Sequence, residues 1–99
     1  MPPRFTLEIK GKQWTVRMRP PPIRWVRKME EPPKAGETAR AICVHETCTI
    51  YVTPGPHQDT DLQHEILHAC LPRASEAQIS MIEKALYGGK VGLLGIGQP

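Results

Sequence analysis

The stretch Thr60-Asp61-Leu62-Gln63-His64-Glu65-Ile66-Leu67-His68-Ala69-Cys70 decides how the rest of the chain is read. It contains HExxH. Residues four apart share one face of an α-helix, so His64 and His68 present two imidazoles to one point. That is the arrangement of two zinc ligands, with Glu65 beside them as general base. The flanking residues support a helix. Leu62, Ile66, Ala69 and Cys70 fall at helical spacing on a buried face. Thr60 to Gln63 matches a capping box, and Pro72 ends the helix shortly after Leu71.

A catalytic zinc takes three protein ligands and leaves one position open for water. Pro72-Arg73-Ala74 forces a reversal, and Ser75-Glu76-Ala77-Gln78 is a second capping box that starts a second helix. Glu76, in the first turn of that helix, is placed to reach back to the metal. Glu83, further along, and His57 and Asp61, upstream, are the other candidates. Ile79, Ile82 and Leu86 define the buried side of the second helix, and Gly88-Gly89 stops it. Zinc lowers the pKa of its bound water towards ~7. Glu65 would take a proton from that water as it attacks a carbonyl, then pass it to the leaving amine. Tyr51, His45, His57 and Tyr87 are residue types able to steady the oxyanion, and no spacing singles out one of them.

Upstream, Phe5-Thr6-Leu7-Glu8-Ile9 and Trp14 to Met18 alternate apolar and polar residues around Lys10-Gly11-Lys12, which predicts a hairpin. Residues 20–37 hold five prolines and read as an irregular loop, with a short helical turn at Arg24–Met29 and local docking of Ile23, Trp25 and Val26. Ala41-Ile42-Cys43-Val44 and Cys48-Thr49-Ile50-Tyr51-Val52 predict a second hairpin, with Cys43 and Cys48 near its closed end. The expected architecture is α+β. An antiparallel sheet of about four strands, in two hairpins, packs on two helices. It forms a single domain over residues 1–99, with a Gly-rich tail at 90–99. If the strand carrying Ile50 and Tyr51 is the sheet edge, those two residues are the candidates for contacting an extended peptide.

Charge is unevenly spread. Residues 1–40 carry ten Lys and Arg against four Glu, whereas residues 41–99 carry three against six acids, so the net +3 resides in the first half. Three cysteines, Cys43, Cys48 and Cys70, give no closed disulfide framework; Cys43 and Cys48 read as ordinary buried thiols and Cys70 as a small core residue. No apolar run reaches the ~18–20 residues of a membrane span, and the first residues lack a signal peptide's apolar core. A soluble, cytoplasmic protein is expected.

The run Thr49-Ile50-Tyr51-Val52, a short loop, and Thr60 to Cys70 resemble the minimal zincin-like metallopeptidase domains of phages and prophages, related to the ImmA/IrrE zinc peptidases. The resemblance covers about residues 38–87. It implies a zincin core with His64 and His68 as ligands, Glu65 as catalytic base and Glu76 as third ligand. It also implies a peptide or protein substrate, and the host cytoplasm if the chain is phage-encoded. SprT-like proteases share HExxH but usually use a later His, and none follows His68.

Three functions are therefore expected in competition. The first is a zinc metallopeptidase. The second is a silent zincin-fold module that contacts a host or phage protein. The third is a nucleic-acid-binding protein using Arg17, Arg19, Arg24, Arg27 and Lys28 with Trp14 and Trp25.

Overall fold

The computed structural model describes residues 3–29, 32–34 and 38–86. Strands β1 (Arg4–Ile9) and β2 (Lys12–Arg17) form the first hairpin around Lys10-Gly11. Both turn residues have positive φ, 52° and 80°, as a two-residue turn between right-twisting strands requires. The one-turn helix α1 (Ile23–Val26) follows, overlapping the turn expected at Arg24–Met29 but starting one residue earlier and ending sooner. Strands β3 (Ala41–Val44) and β4 (Thr49–Val52) form the second hairpin, joined by a single 3-10 turn at His45–Thr47 with Cys48 left-handed at φ 50°. Helices α2 (Gln58–Cys70) and α3 (Glu76–Leu86) complete the described chain. No helix among the described residues is long and apolar enough to cross a membrane.

The fold is α+β, but the sheet is mixed rather than antiparallel throughout. Its order is β1-β2-β4-β3, and β2 runs parallel to β4, pairing Thr15 with Thr49 and Arg17 with Tyr51. The two hairpins are antiparallel inside themselves, as their local patterns predict. How they join is set by the crossover between them, which no local pattern encodes.

Alternation along the strands decides which helix covers which face. Ile9, Trp14, Val16, Ile50 and Val52 form the main core with Ala69, and Leu62, Ile66 and Cys70 of α2 pack against it. The expected buried face of α2 is thus in place. On the opposite face Ile42, Val44 and Tyr51 cluster beneath Trp25 and Met29. Ile23, expected to dock, is instead 63 % exposed. Lys10 Nζ donates to the Cys70 carbonyl at 3.2 Å, so the first hairpin also caps the negative end of α2.

The two expected capping boxes behave differently. Ser75 is as predicted: its Oγ accepts from the Gln78 amide at 3.1 Å, and its own N–H donates to Gln78 Oε1 at 2.8 Å. The Thr60 box does not form, because α2 starts earlier, at Gln58. Gln58 Oε1 accepts from Gly55 N–H and closes the turn two residues ahead of Thr60, whose hydroxyl donates to the His57 carbonyl. On α3, Ile79 is fully buried and Ile82 half-buried, but Leu86 lies 46 % exposed beyond the reach of α2. Gly88-Gly89 and the tail fall outside the described residues.

Ile50 sits at the centre of the sheet and is fully buried. Ile50→Ala should destabilise the fold by about 2–5 kcal/mol, through lost transfer energy plus a residual cavity. Denaturant unfolding measures this, and a loss below about 1 kcal/mol would show that the site collapses around the vacancy.

Candidate metal centre

His64, Glu65 and His68 lie in the second and third turns of α2, which rests across β3 and β4. The chain reverses after Leu71, and the Ser75 cap fixes Glu76 as the first residue of α3. Glu76 then points back at α2. Its Oε1 lies 3.0 Å from His64 Nε2 and its Oε2 lies 2.9 Å from His68 Nε2. The two Nε2 atoms are 3.2 Å apart. The three ligand-type atoms all lie within 4.8 Å of one another, so His64, His68 and Glu76 form a group that could hold a metal ion.

The other candidate ligands do not join this group. Glu83 contacts the far side of the same ring, with Oε1 2.8 Å from His64 Nδ1. Asp61 is paired with Arg40 at 3.0 Å, and its second oxygen is buried without a partner among the described residues. His57 is exposed at the start of α2.

Carboxylates only accept hydrogen bonds, so without a metal each nitrogen facing one must carry a proton. Burial alone would lower the His64 pKa. The Glu83 hydrogen bond and the charges of Glu65, Glu83 and Glu76 outweigh it, so the net shift from 6.5 is upward. Glu65 is 8 % exposed, and burial raises its carboxyl from 4.5 to about 7. His64 opposes that shift, while Glu76, Asp61 and Glu83 reinforce it. A carboxyl poised near neutrality can both take and return a proton under ordinary conditions.

A cavity of about 520 Å3 opens beside these residues. His64, Glu65, His68 and Glu76 form one wall. All four residues of β3 line it, and Trp25, Lys28 and Met29 stand opposite. Successive residues of a strand point to opposite faces, so a cavity touching four in a row runs along the strand's edge. Among the described strands, β3 pairs only with β4, which leaves its outer edge free.

This corrects the expectation for Ile50 and Tyr51. Their strand, β4, is paired on both sides, Ile50 is wholly enclosed, and Tyr51 belongs to the cluster on the sheet face away from α2. Neither residue can meet an extended peptide. Of the oxyanion candidates, His45 lines the cavity, its ring edge-on to Trp14 with centroids 5.6 Å apart and its Nε2 3.8 Å from Cys43 Sγ. Burial, then the nearby His68, lowers the His45 pKa and keeps the ring neutral. Tyr87 lies outside the described residues. The three cysteines are free and half-buried rather than fully buried, and burial pushes the Cys43 thiol up. Trp14 is 4 % exposed and cannot stack on a base, which removes one aromatic from the expected nucleic-acid surface.

The sequence did carry a signal for Glu83. It lies seven residues after Glu76, two helical turns, and so on the same face. The free β3 edge had no such signal, because it depends on the parallel pairing. No family model, curated protein or solved structure matches the chain.

Both pKa shifts act in one direction on the metal-free protein. The folded chain retains the Glu65 proton between 4.5 and about 7, and the His64 proton above 6.5, where the unfolded chain has lost them. This contribution to stability is complete below those ordinary values and is lost as pH rises through the folded ones. The lowered His45 pKa works the other way below 6.5, so the thermal midpoint of the metal-free protein should fall most clearly between about pH 6.5 and pH 8, and added zinc should restore most at the alkaline end. A midpoint that climbs steadily across that window contradicts these shifts.

Proposed function

We propose that this chain is a small zinc-dependent metallopeptidase of zincin type. The observation that carries the reading is Glu76 bridging His64 and His68 within a cavity that also contains the buried carboxyl of Glu65. Two imidazoles and one carboxylate are the donor set of a catalytic zinc with an open position. Zinc bound by His64, His68 and Glu76 would supply Lewis acidity towards a water and a substrate carbonyl.

The chain's own residues account for the rest of the chemistry. Glu65 accepts the proton of the attacking water and delivers it to the departing amine, from a buried position in the same cavity as both histidines. The free edge of β3 pairs with the substrate main chain as an added strand and draws it along the cavity past Glu65. Trp25 and Met29 give the cavity an apolar lining. The three free thiols fit a reducing cytoplasm.

The test is a pair of variants beside the wild type, each assayed for bound zinc and for cleavage of an unstructured protein. Wild type should hold about one zinc per chain. Glu76→Ala should lose it. Glu65→Gln should keep the metal while cleavage falls about a hundred- to ten-thousand-fold. Zinc-loaded wild type that cleaves no more than Glu65→Gln would leave a metal-holding binding module in place of an enzyme.

A further inference from the structure

We propose that Glu83 is the positioning residue of this metal site. It holds the His64 ring by Nδ1 so that Nε2 is presented to the ion. The inference rests on the metal reading above.

The contact is direct: Glu83 Oε1 lies 2.8 Å from His64 Nδ1, and both side chains are largely shielded from solvent, at 25 % and 22 % exposed. Glu83 can only accept, so the proton sits on Nδ1. A neutral imidazole carries one N–H. With an ion in place of the Nε2 proton, fixing that N–H at Nδ1 would leave the Nε2 lone pair on the side where Glu76 and His68 converge. The carboxylate also makes the ring a more basic ligand and stops it turning about χ2.

The placement follows from α3. Glu76 and Glu83 are two turns apart on one face, and Ile79, fully buried between them, pins that face to the protein. One helix therefore holds both edges of one imidazole, with a ligand on one side and an orienting acceptor on the other. Glu83 is not itself a ligand, because it stands outside the group formed by His64, His68 and Glu76.

Two measurements separate positioning from simple support of α3. Zinc affinity is read by competition with a chromophoric chelator, and geometry by the visible spectrum of the cobalt-substituted protein. In Glu83→Ala, zinc affinity should drop about 10- to 100-fold with the cobalt bands displaced, while an ion still binds. Glu83→Gln, whose amide oxygen still accepts from Nδ1–H, should recover most of the loss. If Glu83→Ala fails to fold, Glu83→Met, a good helix former without a strong acceptor, takes its place.

Unchanged affinity and spectrum, with only a lower melting temperature, would overturn the assignment in favour of a strut. Complete loss, as in Glu76→Ala, would overturn it in favour of a direct ligand. Wild type that takes up neither zinc nor cobalt would refute the metal reading itself, an outcome distinct from wild type that binds while Glu83 proves indifferent.

Discussion

Glu76 lies between two imidazoles, 3.0 Å from His64 Nε2 and 2.9 Å from His68 Nε2, and this contact joins the two C-terminal helices. Asp61, Glu65, Glu76 and Glu83 all bear on His64 or Glu65, and Arg40 offsets only Asp61. Gathering four carboxyl groups in partial burial is unfavourable unless positive charge is supplied. Without a metal, protons supply it, on His64 and on Glu65. A divalent ion supplies more charge in less space. The acidity of this corner and its two histidines are thus one feature, through which Glu76 and Glu83 tie α3 to α2.

The sheet does a different job. It fixes α2 by apolar contact through Leu62, Ile66 and Ala69, on the side of the helix away from Glu76. It also decides where an open edge falls. Because β2 and β4 pair in parallel, β4 is enclosed and β3 becomes the outer strand beside the histidines. A wholly antiparallel arrangement of the same hairpins would not have fixed which strand borders the cavity. The connection through residues 20–40 does, and it also brings Trp25 and Met29 under the far face of β3.

Local features were legible in the residues. Both hairpins, the amphipathic α2, the Ser75 cap and the reversal at Pro72 each follow from interactions a few residues long, and together they deliver Glu76 to the histidines. What could not be read required distant partners. The parallel pairing joins segments on either side of the proline-rich stretch. The early start of α2 depends on Gln58 closing back on Gly55 rather than on the stronger-looking Thr60 signal. Trp14, by contrast, enters the core as its alternation with Val16 indicates, which takes it out of the basic surface cluster.

The parallel pair also bears on how the chain reaches this arrangement. Each hairpin closes over a handful of residues and can form within microseconds. Joining them requires the loop between β2 and β4 to be drawn in first, an entropic cost met before any β2–β4 contact repays it. Among the described strands, the pairing most distant in sequence is thus also the costliest to close, and it completes the sheet against which α2 and its histidines pack.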